Sequence, residues 1–377
     1  MTRVDQYRTN PSKAISNFKG RWDTVFAWPS TAVSTWLNGI GGADINVSYT
    51  VTSGSAATVD YTGADGLEYR SLTFTSTSQI TFDQDKEVDL LLIGGGGGGG
   101  SNDIYGTGGG GSGGYRDHLI SYSSPFQLNA GEPTTITIGA GAAGSVATSL
   151  TAGSDGGTTS ITVTSGGAVR TDVKGGAGGV NGHNRAGAAA PSGGGSGSGA
   201  SVNGLSGFVA GGAQATYGEA GGNSRYSGAW PGYYCAGGGG GAGGGGNRTQ
   251  SFTWPVKGVG TTFHTSGAGK SSTLRTGSAE WRGGGGSNNG TYTDGYGAAG
   301  FSLKGQQGVD FAGGGDGFMY NIGQQNTASV LGTTAYANTP ATVNTGGGGG
   351  GVASDIGGHA GGTGGSGIVI FKIPFGN

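Results

Sequence analysis

Several things that a 377-residue chain usually has are scarce here. There is one cysteine, Cys235, so no internal disulfide framework exists and cysteines alone cannot build a zinc site. Charged residues make up 11%, 19 basic against 21 acidic, with no basic run. That removes the electrostatic footprint of a nucleic-acid binder. No apolar run approaches the roughly 18 residues of a membrane-spanning helix. MTRVDQYRTN at the start lacks the apolar centre of a signal peptide. The expectation is a protein made in the cytoplasm that does not insert into membranes, and that either stays there or reaches the outside as part of an assembled particle. Nine prolines and the absence of a strict G-X-Y period exclude collagen.

What is abundant is glycine, 94 residues, about a quarter of the chain. The stretch Val88 to Gly100, VDLLLIGGGGGGG, runs an apolar strand pattern directly into seven glycines. Further islands occur at 108–111, 237–241, 243–246, 283–286 and 346–351, and GTGGSGIVIFKI leads glycine back into an apolar strand. Such composition alone suggests low complexity. The 15 Tyr, 13 Phe and 6 Trp between the islands are foreign to flexible linkers. Ordering each glycine costs roughly 0.5–1 kcal/mol more than alanine, so a satisfied backbone hydrogen-bond lattice is expected in compensation. A three-residue pulse points to its form: GGS-GGY at 110–115, GGA-GGV at 175–180 and GGT-GGS at 361–366. A polyproline-II-type helix has three residues per turn. Glycine in that conformation keeps its N–H, and bare Cα atoms let neighbours pack closely. The expectation is a polyglycine-II bundle in which an inward Cβ would be a wedge.

Taken in order, residues 1–42 read as an N-terminal anchor arm or packed cap. It has short helical patterns after Asn10-Pro11 and over Ser30 to Leu37, and three tryptophans, Trp22, Trp28 and Trp36, suited to docking on a partner. Residues 43–174 alternate like strands: Ile45, Val47, Tyr49, Val51; Leu72, Phe74; Ile80, Phe82; Val88, Leu90, Leu92; Ile136, Ile138; Ile161, Val163; Val169, Val173. Their spacing suggests a β-sandwich or jelly-roll-like domain that includes the first glycine run. Residues 175–367 form the glycine-rich body with display loops, and 368–377 a closing strand, buried on both faces beside Val88 to Ile93. The fold class is mainly β with little α-helix.

Motifs for chemistry mostly fail. Gly94, Gly96 and Gly99 follow a strand as in a dinucleotide-binding GxGxxG, but a homopolymer matches any glycine pattern and no helix pattern follows. SGAGKS at 266–271 resembles the end of a phosphate-binding loop, yet the first glycine of GxxxxGK(S/T) is His264 here. It reads as a surface loop. His118, His183, His264 and His359 lack metal-ligand spacing. The glycosylation sequons at Asn46, Asn247 and Asn289 read as chance. No carboxylate pair is assignable to acid/base work. No enzyme, metal or cofactor is therefore expected, with a polysaccharide depolymerase as the lesser alternative.

The informative constellation is aromatic. RYSGAWPGYYC, QSFTWPVKGVGTTFH, SAEWR, SNNGTYTDGYG and DGFMYNIGQQN place rings among small polar residues, a composition suited to binding loops. The candidate contacts are Tyr226, Trp230, Tyr233, Tyr234, Trp254, Phe263, Trp281, Tyr292, Tyr296, Phe318 and Tyr320; rings that merely cap the bundle are the bland reading of the same residues.

VDLLLIGGGGGGG together with the terminal GGSGIVIFKI resembles the glycine-rich domain proteins of tailed phages, and PFQLNAGEPTTITIGAGAAGS looks like their recurring strand–turn–strand. This resemblance covers residue 88 to the end. The glycine body with aromatic loops is also similar to tail-tip adhesins of T-even-like phages. The resemblance implies a virion protein at the particle surface or tail; residues 1–42, which lie outside the resemblance, would then be the arm that joins other virion proteins. Its distal loops would bind a host glycan or outer-membrane protein without catalysis, as a monomeric tip or a homotrimer. A head fibre, capsid decoration or tail brace is the structural alternative.

Overall fold

The structure, a computed structural model, describes residues 47–102, 107–119, 125–146, 151–163, 169–181, 216–221, 225–227, 233–246, 266–286, 289–293, 298–302, 318–319, 340–353 and 360–374. The anchor arm with Trp22, Trp28 and Trp36, and the helices expected there, lie outside these residues. Among the described residues there is no helix, and the chain is mainly β.

Five strands follow one another closely: β1 (Tyr49–Ser53), β2 (Ala57–Thr62), β3 (Glu68–Phe74), β4 (Ser78–Phe82) and β5 (Lys86–Ile93). Next come β6 (Ser101–Asn102), β7 (Tyr115–His118), β8 (Phe126–Leu128), β9 (Thr134–Thr137), β10 (Thr159–Val163) and β11 (Val169–Val173). Short strands follow: β12 (Arg225–Ser227), β13 (Tyr233–Cys235), β14 (Lys270–Ser272), β15 (Glu280–Arg282), β16 (Asn289–Thr293), β17 (Ala298–Ser302), β18 (Phe318–Met319) and β19 (Val352–Ala353). The last, β20 (Ile368–Pro374), returns to the first part of the fold.

Two antiparallel sheets dominate. One has the order β1-β4-β9-β10-β11; the other runs β2-β3-β20-β5, with β7 and β8 sharing the outer side of β5. The period-2 pattern predicts which side chains meet. Ile80, Phe82, Ile136, Ile161 and Val173 of the first sheet share a single core with Leu72, Phe74, Leu90, Leu92, Val369 and Phe371 of the second. Phe74 and Phe371 meet edge to face, centroids 5.4 Å apart.

The second sheet is covered on its other face too. Leu91, Ile93, Ile368 and Ile370 pack there with Tyr115 and Leu274. That double burial is why Leu90 to Ile93 of β5 and Ile368 to Phe371 of β20 are continuously apolar rather than alternating, and the two strands pair antiparallel, Ile93 opposite Ile368.

Beyond the strands the pairing continues without a break into glycine. After Ile93 opposite Ile368, the Gly96 N–H donates to Gly365 and Gly99 to Gly362. After Ile93 opposite Tyr115, Gly94 donates to Gly114, Gly97 to Gly111 and Gly100 to Gly108. In the other sheet, Thr159 opposite Val173 becomes Gly156 to Gly176 and Gly153 to Gly179. Ser160 opposite Thr137 becomes Gly157 to Ala140 and Ser154 to Ala143. Partners now recur every third residue rather than every second.

The run 94–100 is the centre of this bundle. Its N–H groups rotate among three neighbours: Gly94, Gly97 and Gly100 to 108–114, Gly95 and Gly98 to 154–157, Gly96 and Gly99 to 362–365. Its carbonyls accept from three more: Gly176 and Gly179, Ala142 and Ser145, and Gly349. A Cβ added at Gly94, Gly97 or Gly100 would overlap the carbonyl of Lys174, Ala177 or Val180. One at Gly95 or Gly98 would strike Ala140 or Ala143, and one at Gly96 or Gly99 would strike Gly347 or Gly350. Positive φ occurs at none of these positions, so the demand for glycine is for space. The bundle draws segments from both sides of residue 175.

Candidate functional site

The bundle has a near end, where it joins the two sheets, and a far end. Thr159 marks the near end. Its buried Oγ1 donates to the Ile93 carbonyl at 2.8 Å and accepts from the Gly139 N–H at 2.9 Å. Thr159 lies on β10 and Ile93 on β5, so this hydroxyl bridges the two sheets as their separation closes.

At the far end lie Gly100, Gly108, Ser145, Gly153, Val180, Gly350 and Gly361, tied by Gly100 to Gly108, Gly108 to Val180, Gly361 to Ser145 and Gly153 to Gly179. Three connections, residues 101–107, 146–152 and 352–360, begin and end there. The chain also leaves at Val180 and passes the near end at 216–221, where Tyr217 packs on the core and its carbonyl accepts from Tyr115. It comes back to the far end at Gly237, whose carbonyl accepts from Gly109. It leaves again after Gly286, which donates to Gly110 beside the same end.

Eight of the eleven candidate aromatics belong to these two long excursions. Tyr226, Trp230, Tyr233 and Tyr234 fall in the first; Tyr292, Tyr296, Phe318 and Tyr320 fall in the second. A four-stranded sheet, β12-β13-β16-β17, joins the excursions: Tyr226 lies opposite Tyr234, and Tyr233 opposite Tyr292. Parallel pairing of β18 with β19 and of β19 with β6 ties Phe318 to strands that directly continue the glycine runs 346–351 and 94–100. Trp230, Trp254, Phe263, Tyr296 and Tyr320 lie outside the described residues.

Trp281 belongs elsewhere. It sits half-buried on β15, opposite Ser271, in a hairpin laid over the outer face of the second sheet. Leu274 fills the apolar face below. Three hydroxyls clasp the hairpin backbone: Tyr61 to the Leu274 carbonyl (2.9 Å), Ser71 to Arg275 (2.7 Å) and Tyr115 to Ser271 (3.3 Å). Burial, reinforced by Asp89 and Asp65, pushes the Tyr61 hydroxyl up to about 12, and burial pushes Tyr115 to about 12 as well. Both stay protonated donors at any physiological pH. Glu280 is desolvated, yet hydrogen bonds from Arg275 and Arg282 outweigh that and hold its carboxyl low.

SGAGKS differs from the expectation of a surface loop. Ser266, Gly267 and Gly269 are buried, Gly267 donating to Gly239 and accepting from Gly285, and only at Lys270 does the chain emerge as β14. Small residues here admit the segment to the bundle. The other sites that sequence reading missed, Thr159 and the Tyr61–Ser71–Tyr115 clasp, lie within ordinary strand patterns that carry no motif. Among the described residues no cluster of three or more His, Cys, Asp or Glu is placed to hold a metal ion.

Residues 72–302 match the glycine-rich domain family, more than half of the chain, and the chain belongs to that family. No curated protein matches its sequence.

Proposed function

We propose that this protein is a bacteriophage virion component, a tail fibre or tip adhesin, that binds the host cell surface without catalysis. Its glycine segments run as polyglycine-II helices, and the excursions at their far end make the contact with a host glycan or outer-membrane protein. Residues 1–42 attach it to other virion proteins. The supporting observation is directional: three connections begin and end at the end of the bundle opposite the two-sheet body, and the segments that carry eight of the eleven candidate aromatics rejoin or leave the bundle there, at Gly237 and Gly286. A rigid scaffold with chemistry gathered on terminal loops suits recognition. Threefold rotation of hydrogen-bond partners supports the polyglycine-II assignment, because that helix has three residues per turn.

Purified protein should bind intact host cells, and the double variant Tyr233→Ala/Tyr292→Ala should bind at least about tenfold more weakly while keeping its fold, a loss typical of contact hot spots. Unchanged cell binding, together with loss of attachment to neighbouring virion proteins, would favour a structural role in the particle. Release of sugar from host envelope by the wild type would instead indicate a depolymerase. Backbone dihedrals near −75° and +145° across 94–100, measured by NMR, are expected for the helical assignment.

A further inference from the structure

We infer that the two-sheet body is the register template of the glycine bundle, and that the far end absorbs changes in length. The run 94–100 has no side chains, so a slip by one residue presents the same chemistry to every neighbour. Nothing within it selects Gly365 over Gly364 as the partner of Gly96. The strands attached to it do select. A one-residue slip of β5 would turn Leu90 and Leu92 from the inter-sheet core to the outer face and carry Asp89, paired there with Lys372 at 3.2 Å, into the core. Ile93 opposite Ile368 and Ile93 opposite Tyr115 set the register that the glycines extend. Thr159 opposite Val173 and Ser160 opposite Thr137 do the same from the facing sheet. Thr159 Oγ1, bonded to Ile93 and Gly139, locks the two sheets' registers to each other where they meet.

The far end has much weaker means of choosing a register. There β6 and β19 contribute two residues each, paired in parallel, and a side-chain group, the Ser145 hydroxyl, accepts from the Gly361 N–H at 3.1 Å. Connections at that end therefore change length or sequence without re-registering the bundle. The template holds whether or not the far end binds a host; only its use in exchanging tips rests on the display reading.

The test is residue-resolved amide hydrogen exchange on the full chain carrying one extra glycine inserted within 94–100. The near-end amides of Gly94, Gly95 and Gly96 should keep wild-type protection, with the additional residue appearing unprotected beside Ser101. Lost protection next to Ile93, with Ser101 and Asn102 still protected, would overturn the template. A second variant, Leu92→Ala, should lower protection in β5, β20 and the bundle by one common factor of at least about tenfold. Bundle amides that keep wild-type protection while the strands lose theirs would also overturn it. Neither readout involves host binding, so failure here is distinct from failure of the adhesin.

Discussion

The two-sheet body and the glycine bundle are built from the same chain segments, in the same register, yet cohere by opposite means. In the body, side chains such as Phe74, Phe82 and Phe371 keep the facing sheets apart and fill the gap. Face-to-face sheets normally lie about 10 Å apart. In the bundle the side chains are gone, and the continuations of the two sheets hydrogen-bond to each other directly. Gly95 and Gly98, continuing β5, donate to Gly157 and Ser154, which lead into β10 of the facing sheet. Apolar burial is exchanged for saturation of backbone donors. The two regions should therefore respond to substitution with opposite signs: the body suffers from lost volume, the bundle from added volume.

The largest effect should come from removing volume in the body. Phe371→Ala, at a fully buried position, is expected to cost about 3–5 kcal/mol. Chemical denaturation of the purified protein would measure it, and a loss under 1 kcal/mol would contradict the core as described. Next is added volume in the bundle. Gly97→Ala should cost at least ~1–3 kcal/mol, because the new methyl meets the backbone of Ala177 and cannot push it aside. Gly244→Ala is the control within the glycine-rich part. Its new Cβ makes only an ordinary contact with Ala268 Cβ, at 3.4 Å. It should be neutral or stabilising by up to ~0.4–1 kcal/mol through reduced freedom of the unfolded chain. Equal melting shifts for the two alanines would erase the contrast.

Thr159→Val probes the junction between the regions. It keeps the shape and leaves the Ile93 carbonyl and Gly139 N–H without that partner, at a cost of about 1–3 kcal/mol. Faster exchange of the Gly139 amide relative to β5 would localise the damage. The smallest effect concerns charge. Arg70 donates to Asp60 through Nε and Nη2, both at 2.8 Å, and this holds the Asp60 carboxyl below its ordinary value. A lowered folded value means the contribution is complete above the usual carboxylate range, near ~4. It disappears as pH falls through the folded value. The pair is exposed, so Asp60→Asn should cost under about 1 kcal/mol at pH 7 and progressively less as pH falls through the folded value, read from denaturation midpoints across an acid series.

Much of the body was legible from the chain. Alternation placed Leu72, Phe74, Ile80, Phe82, Ile136, Ile161 and Val173 on strands with their core faces together. The apolar run of β20 pointed to burial on both faces and to a place beside Val88 to Ile93. The glycine islands announced close backbone approach. Much less of the candidate site could be read. Aromatic-rich segments were visible, but that those holding Tyr233, Tyr292 and Phe318 adjoin one end of the bundle depends on where Gly237, Gly286 and β19 sit, which no local pattern encodes. Trp281 looked like its neighbours in composition and lies instead on a hairpin over the second sheet. The clasp of Tyr61, Ser71 and Tyr115 joins residues up to 213 positions apart.

By itself, then, the amino-acid sequence determined the strands, their buried faces and the requirement that one part of the protein be built from bare backbone. Those properties are carried by side-chain periodicity and by the absence of Cβ atoms, both local. Which glycine segments are neighbours, which end the excursions leave from, and where the two sheets close on each other were decided only by the tertiary structure. The reason is physical: seven identical glycines present the same donors and acceptors in every register. Their partners can be chosen only by the strands to which they are joined.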